Sequence, residues 1–437
     1  MSIPTLQGLQ TALSGLLAEQ QALDVTGHNI ANANTEGYSR QRAVLQTNQA
    51  IPIPSISAIT GQGAQLGTGV TVETYTRVRN SYLDAQYRTQ NSSLSGASTE
   101  AEALEQAQGA FNEPSSSGIA SQLSAFWTSW NSLADSPNSE AAKEGVVAAG
   151  QRLAGALNQL SGQLSTITAQ VEAQYTARTS PGGEVADAAK QIAQLNQQIK
   201  LAEQARQPPN DLLDRRDLLI DKLSALANVT VTANPDGTDT IAFGDAAKPL
   251  VEGSTVNWPQ TLSPAAGGQL GALLGLTAPG GPLGGLRSEL DAVAANLASS
   301  VNALHTTTPF FAGNTAATIA VAVKASEVQS SSTGTPGGND VALAIAGLRG
   351  GATDQAYSGL VENVGSKVQG AKNEQANLQA TLTAVAGQRQ SVSGVSLDEE
   401  MTNLISYQRG YQASARTLTA MDEMLEQLIE HTGRAGL

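Results

Sequence analysis

The chain has 437 residues and a mass of 44.8 kDa, room for two to four domains with an adequate core. Its 24 Lys and Arg against 38 Asp and Glu leave a net charge of −14, which argues against a phosphate backbone or an anionic lipid surface as partner. The absence of cysteine removes disulfides, thiolate metal sites and cysteine nucleophiles together.

In chain order, no apolar run approaches the roughly 18 residues of a spanning helix. The first basic residue is Arg40, so Met1 to Gln20 lacks the charged start of a cleaved signal peptide. Behind Pro4, the residues Leu6, Leu9, Leu13, Leu16, Leu23 and Ile30 recur at three- and four-residue spacing, with Gln20 and Gly27 filling the remaining seam positions. That pattern predicts a helix with a narrow apolar stripe. Thr26 to Arg40 ends it. Asn29, Asn32 and Asn34 offer side-chain hydrogen bonds to nearby backbone, and Gly37 permits positive φ, so the stretch reads as a connector with Tyr38 and Arg40 available for contacts.

Ile51 to Val78, rich in Pro, Gly, Thr and Val, reads as extended. A helical seam follows at Leu153, Leu157, Leu160, Leu164, Ile167 and Val171, and another at Val185, Ile192, Leu195 and Ile199 beyond the breaker Ser180-Pro-Gly-Gly183. Asn210 to Asp221 reads as a helix start, with Asn210 or Asp211 as cap, an Asp211–Arg215 pair four residues apart, and an apolar face of Leu212, Leu213, Leu219, Ile220 and Leu223. Val229 to Ala233, the turn Asn234 to Gly237, and Thr240 to Phe243 form a predicted hairpin. More helix is expected around Leu286, Leu290, Val293 and Leu297, and from Tyr357 to about Gln390, with loops at Ala278 to Gly285 and Ser330 to Gly338.

The last segment repeats Leu397, Leu404, Tyr411, Leu418 and Leu425 at an interval of seven, with Met401 and Ile429 as the expected companion row. Ser396 should cap it, with Glu399 reaching back and Asp398, Glu399 and Glu400 at the positive end of the helix dipole. One seam helix therefore stands at each end of the chain. A lone helix with a narrow stripe gains too little by itself, so the two should pair with each other or with neighbouring subunits.

Little points to catalysis. His28, His305 and His431 are isolated from one another, and Gly61-Gln-Gly63-Ala-Gln-Leu-Gly67 is one residue too long for a dinucleotide loop and reads as an ordinary loop. Asp211, Asp214 and Asp217 lie on one short helix beside two arginines, whereas glycoside hydrolysis needs carboxyls across a cleft. No catalytic, cofactor-binding or metal-ligating residue is assigned.

The segment Asn29-Ile-Ala-Asn-Ala-Asn-Thr-Glu-Gly-Tyr38 resembles the N-terminal signature of the axial proteins of the bacterial flagellum. Val395 to Leu404 followed by Tyr407-Gln-Arg-Gly-Tyr-Gln-Ala-Ser-Ala-Arg416 is similar to the C-terminal helix of the same group. Ser39-Arg40-Gln41, Pro209 to Asp217, and Gly284 to Asp291 leading to His305 narrow the resemblance to the hook-associated protein 1 family, the hook-filament junction proteins. Glu36 departs from that pattern, where proline is usual, and so does His28.

The resemblance implies a non-enzymatic adaptor ring between hook and filament, located outside the cell and exported by the type III apparatus without signal cleavage. Its implied partners are further copies of itself, the hook protein, the second junction protein (hook-associated protein 3) and an export chaperone, with no nucleic acid and no membrane insertion. The expected fold is mainly α, a long helical bundle and coiled coil built from both chain ends with a small β-rich insertion. The units run 1–45 with 391–437, 46–228 with 285–390, and 229–284. Assembly residues are expected at Leu6, Leu9, Leu13, Leu16, Leu23, Asn29, Asn32, Asn34, Gly37, Tyr38, Arg40, Leu397, Leu404, Tyr411, Leu418 and Leu425. The alternatives are another axial protein, hook or distal rod, and a cell-wall hydrolase using the Asp211 cluster.

Overall fold

The computed structural model describes the backbone of residues 4–53 and 64–432. Helix α1 (Pro4–Ala31) leads into a ribbon of β1 (Gln41–Thr47), β2 (Ile51–Ile53), β3 (Ala64–Leu66) and β4 (Val70–Arg77), then α2 (Ser81–Phe111), α3 (Ile119–Asp135), α4 (Glu140–Thr179), α5 (Glu184–Gln204) and α6 (Asn210–Leu226). Strands β5 (Val229–Ala233), β6 (Asp239–Phe243), β7 (Val251–Glu252) and β8 (Thr255–Val256) form an antiparallel meander in that order. Helices α7 (Gly268–Thr277) and α8 (Pro282–Leu304), the short pair β9 (Phe311–Ala312) and β10 (Ala320–Val321), and α9 (Asp340–Ala346), α10 (Ala352–Ser393) and α11 (Leu397–Thr432) complete the chain.

The body is built where the sequence places its seams. Leu153, Leu157, Leu160, Leu164, Ile167 and Val171 of α4 are all buried, as are Val185, Ile192 and Ile199 of α5 and Leu286, Leu290, Val293 and Leu297 of α8. The breaker at Ser180 to Gly183 separates α4 from α5, and Gly237 closes the predicted hairpin with φ +82°. Ile241, Phe243, Leu250 and Val251 of the meander pack into the same contiguous core as these helices. Arg216 on α6 anchors that sheet through Asp239 at 2.9 Å and the carbonyl of Gly237 at 2.9 Å.

Three features lie beyond the sequence reading. Helices α2 and α3 carry no leucine seam: α2 is opened by Asn80, whose side chain accepts from the amides of Tyr82 and Leu83, and α3 is held by aromatics. Strand β1 pairs antiparallel with β4, Gln41 opposite Arg77 and Thr47 opposite Val70, so the connector runs on into a ribbon. The few aromatic side chains are concentrated, with Phe126, Trp127, Trp130, Phe310 and Phe311 linked by neighbouring ring-centroid distances of 4.8 to 6.3 Å.

The terminal helices pair with each other, antiparallel, and the inner row of α1 differs from the expected one. Leu9, Leu16 and Leu23 are half-buried and Leu13 is 43% exposed, whereas Gln7, Ala12, Ala18, Ala22, Thr26 and Asn29 are buried. The Leu6 side chain lies outside the described residues, as do Gly61 and Gly63. Small residues line this row because long side chains of the facing helix lie over them. A Cβ on Gly8 would stand 2.7 Å from Met421 Cε, and one on Gly410 would stand 2.7 Å from the Glu19 carboxyl.

On α11, Leu404, Tyr411, Leu418 and Leu425 lie on the half-buried row. Their companions are Glu400, Tyr407, Ser414 and Met421. Met401 and Ile429, expected there, are 49% and 72% exposed, and Leu397 is exposed too. Stepping 100° per residue from the row of Leu404 turns Met401 away from α1 and brings Glu400 under it.

The aromatic cluster gives a direct test of the body. Trp130→Ala should lower stability by about 3–5 kcal/mol in urea denaturation, through the cavity left where Phe126, Phe310 and His305 now pack.

Candidate functional site, the joint between the terminal helices and the body

Asn29 is where α1 ends its pairing with α11, and it is 1% exposed. Its amide nitrogen donates to the carbonyl of Gln41 at 2.9 Å and to Glu400 Oε2 at 3.1 Å. Its Oδ1 accepts from the Tyr38 hydroxyl at 2.7 Å and from the Gln41 amide at 2.9 Å. One side chain thereby satisfies its full hydrogen-bonding capacity while tying α1, the connector, β1 and α11 together. Arg40 continues the link. Its amide donates to the Ser393 carbonyl at 2.9 Å, Nη1 donates to Glu399 at 2.6 Å, and Nε stands 2.8 Å from Glu400 Oε1.

Gly37 turns the connector with φ +79°, and a Cβ there would stand 3.1 Å from Leu218. Both the turn and the close approach require glycine. Asn32 donates to the His28 carbonyl and accepts from Thr35, closing the end of α1, whereas Asn34 is exposed.

Beneath the connector lies a compact ionic cluster. On α6, Asp214, Asp217 and Asp221 are spaced three and four residues apart and so share one helix face. Arg77 at the end of β4 bonds Asp214 at 2.9 Å and Asp217 at 2.8 Å, and Arg79 bonds Asp217 at 3.0 Å and Asp84 at 2.7 Å. Arg88 on α2 bonds Asp217 at 3.0 Å and Asp221 at 2.7 Å. Arg389 near the end of α10 bonds Asp84 at 2.8 Å and Asp221 at 2.6 Å, its guanidinium 4.6 Å from the centre of the Tyr87 ring. The Ser39 amide donates to Asp214 at 3.0 Å, which fastens the connector to the cluster.

Four arginines meet four aspartates, so the group is neutral, and no side chain in it is more than a fifth exposed. Burial acts to raise the Asp217 carboxyl, but Arg79, Arg77 and Arg88 outweigh it and hold it down at about 2. Burial, with the charges of Asp214, Asp211 and Glu400, pushes the Tyr38 hydroxyl up, so it stays a donor to Asn29.

Several expectations are corrected here. Asp211 does not pair with Arg215: it accepts from Gln41 Nε2 at 3.1 Å and stands 3.7 Å from His28 Nε2, drawn to the connector instead. Neither Asn210 nor Asp211 caps α6. Pro209 takes the cap position, and Asn210 donates to Gln41 and to the Tyr75 carbonyl. Ser396 does cap α11, its Oγ accepting from the Glu399 amide at 3.5 Å, but the Glu399 carboxylate goes to Arg40 rather than back to the helix start.

Of the three aspartates considered as a hydrolytic cluster, Asp214 and Asp217 face arginines in the ion pairs above. His305 is a satisfied core histidine, its Nε2 accepting from the Gln329 amide and its Nδ1 2.6 Å from the Thr308 carbonyl. His28 is exposed, and the His431 side chain lies outside the described residues. Sequence reasoning missed Arg77, Arg79, Arg88 and Arg389. The available signal was the carboxylate stripe of α6, which had to meet positive charge if its helix was buried.

Three family models match the chain. Residues 9–38 match the flagella basal body rod protein, residues 104–265 the helical domain of the flagellar hook-associated protein FlgK, and residues 386–430 the C-terminal part of the flagellar basal body rod FlgEFG proteins. Together with two terminal helices joined through Asn29 and Arg40, these matches define a structural component of the bacterial flagellum. Flagellar hook-associated protein 1 of Bacillus subtilis is 32% identical over 99% of this chain and 99% of its own length. The chain belongs to the flagellar hook-associated protein 1 family.

The Salmonella typhimurium protein of the same name is 31% identical over 56% of this chain and 42% of its own length. The solved structure of the flagellar hook junction protein FlgK from Burkholderia pseudomallei is 27% identical, with a TM-score of 0.45, over 51% of this chain and 43% of that one.

The cluster sets a pH dependence. The Asp217 carboxyl has an ordinary value of 3.8 and is held at about 2 when folded, so its contribution is complete above 3.8 and is lost as pH falls through about 2. Asp217→Asn should cost about 3–5 kcal/mol at neutral pH by leaving Arg77, Arg79 and Arg88 short of a partner, and should flatten the acid limb of the stability curve. Urea unfolding at pH 7 and at steps below 4 measures both.

Proposed function

We propose that this chain is an adaptor between hook and filament, assembled as a ring of copies through its terminal helices, with no enzymatic activity of its own. In this reading it is exported unfolded by the type III apparatus with an export chaperone and without cleavage of a signal peptide. It meets the hook protein on one side and the second junction protein on the other.

One observation carries the reading. Among the described residues, fourteen large apolar side chains are exposed, and eleven lie on the terminal helices, the ribbon and the last turn of α10. They are Leu13 and Leu17 on α1, Leu45, Ile51 and Leu66 on the ribbon, and Val392, Leu397, Met401, Ile405, Met424 and Ile429 at the C-terminal end. The much larger body exposes Tyr82, Leu201 and Leu343, which are far apart in sequence. Scattered apolar residues need no explanation, but apolar surface gathered on one unit marks an association surface. Leu9, Leu16, Leu23, Leu404, Tyr411, Leu418 and Leu425 are half-buried beside it and hold the pair in the shape that association requires. Among the described residues no helix is long and apolar enough to cross a membrane.

Deletion of Met1 to Arg40, or of Leu397 to Leu437, should leave a helical body that cannot attach filament to hook. Exchange of Leu404, Tyr411 and Leu418 for Ser should do the same, by separating α11 from α1. Filament attachment by these variants, in a strain lacking its own copy of the protein, is the measurement, and normal attachment by any of the three overturns the reading.

A further inference from the structure

The first turns of α3 and α10, with the turn that joins α2 to α3, enclose a cleft of about 350 Å3. It shares no residue with the joint or the terminal helices. Its floor is apolar: Leu123 of α3 and Tyr357 of α10 are buried, and Pro114, Ala120 and Val361 complete it. Its charged lining is acidic. Asp354, Ser358 and Glu362 follow at four-residue spacing along one face of α10, and Glu113 enters from the α2–α3 turn. Among the described residues no lysine or arginine lines the cleft.

Two of the carboxylates are oriented by the fold. Glu113 Oε1 accepts from the Ala120 amide and from the Tyr357 hydroxyl, each at 3.0 Å. Burial and the Glu113 charge push the Tyr357 hydroxyl up, so it stays a donor. Asp354 accepts from Trp127 Nε1 and from the Gly350 amide, each at 3.0 Å. A carboxylate offers about four acceptor positions, so these bonds leave Glu113 Oε2 available, and Glu362 is exposed. Two bases of the surrounding surface are turned elsewhere. Lys372, in a neighbouring cleft that also includes Glu113, pairs with Glu105 at 2.5 Å, and Arg349 donates to Ser124 Oγ at 3.1 Å.

We propose that this cleft receives a basic side chain, lysine or arginine, projected by a partner protein. An apolar floor under an anionic rim matches a side chain with an aliphatic stem and a cationic head. The stem lies on Leu123, Val361 and Pro114, and the head meets Glu113 with Glu362 and Asp354 beside it. The volume agrees, since sites for small ligands begin at about 300 Å3. An anionic group would meet three like charges, and a wholly apolar one would strip water from carboxylates without replacing it. Because Tyr357, Ala120 and Trp127 hold two of the carboxylates beforehand, the cation does not have to order them.

The test uses the full chain and three probes: Nα-acetyl-lysine methylamide, Nα-acetyl-arginine methylamide, and the norleucine methylamide as a neutral control. In saturation-transfer NMR the side-chain methylenes of a cationic probe should be saturated, with a Kd on the order of 1 mM for so small a ligand. The norleucine probe should bind at least about tenfold more weakly, and added salt should weaken the cationic probe alone. Glu113→Gln with Glu362→Gln keeps an acceptor for Ala120 and Tyr357 and should lower affinity about tenfold. Glu362→Gln alone, at an exposed position, should lower it about threefold without touching the start of α3. Ser358→Lys supplies a cation from within and should abolish probe binding. Circular dichroism confirms that each variant is folded.

Failure of both cationic probes to bind, equal binding of the norleucine probe, or unchanged binding in both Gln variants overturns the proposal. Pentylamine has the same stem and head without a peptide backbone. If it binds more tightly than both cationic amides, the cleft takes free amines and the protein partner is overturned. None of these outcomes depends on filament attachment, so the cleft and the adaptor function stand or fall separately.

Discussion

Desolvation of charge is the constraint on which the rest of this structure depends. Four guanidinium groups and four carboxylates are taken largely out of water where α2, α6, α10 and the end of β4 meet. Such burial is tolerable only when every charge is matched and the geometry is fixed from several sides. Asp217 shows how closely this is met: it has three arginine partners, and they outweigh the penalty of burying it. A bundle held there by leucine alone could slide by a turn at modest cost, whereas these pairs admit one register. The connector inherits that register through the Ser39 amide on Asp214, and Asn29 and Arg40 pass it on to both terminal helices. The direction in which the terminal pair leaves the body is therefore set by polar groups.

The terminal pair itself is made in the opposite way. Its inner face is close-packed and poor in large side chains, Gly8 against Met421 and Gly410 against Glu19, with Ala12, Ala18 and Ala22 buried along α1. Two helices that meet over small residues gain less from burial than a leucine seam does, and larger apolar side chains remain facing outward. Leu13, Leu17, Met401 and Ile405 are placed accordingly. The pair buries its small side chains and leaves larger apolar ones in solvent.

Much of the body was legible in the sequence, because its helices follow the rule that apolar spacing marks the buried face. Leu153 to Val171 and Leu286 to Leu297 were placed from spacing, and the Asn234 to Gly237 turn from its residue types. The terminal helices obey a different rule, and there the same reading put Met401 and Ile429 inside when they face out. Spacing reports that a helix has an apolar stripe but not whether this chain or another covers it. The joint was legible only in part. Asn29, Gly37, Tyr38 and Arg40 stood out because an asparagine- and glycine-rich break between periodic segments is visible locally. Their partners include Glu400, Leu218 and Glu399, and nothing local in a sequence announces a contact between residues 371 positions apart.

One helix, α11, carries both halves of this argument on opposite faces. Tyr407, Ser414 and Met421, with Leu404, Tyr411 and Leu418, answer to α1 and decide whether the chain folds at its ends. Arg409, Arg416, Glu423 and Glu430 answer to nothing described within the chain. Because the two sets stand about 180° apart, a substitution on one face leaves the other in place. Folding and association can then be altered separately, although they share a single helix of 36 residues. The ionic joint makes that separation useful: it ties the start of α11 to the body through Asn29 and Arg40, so the outer face of the helix is presented from a fixed base.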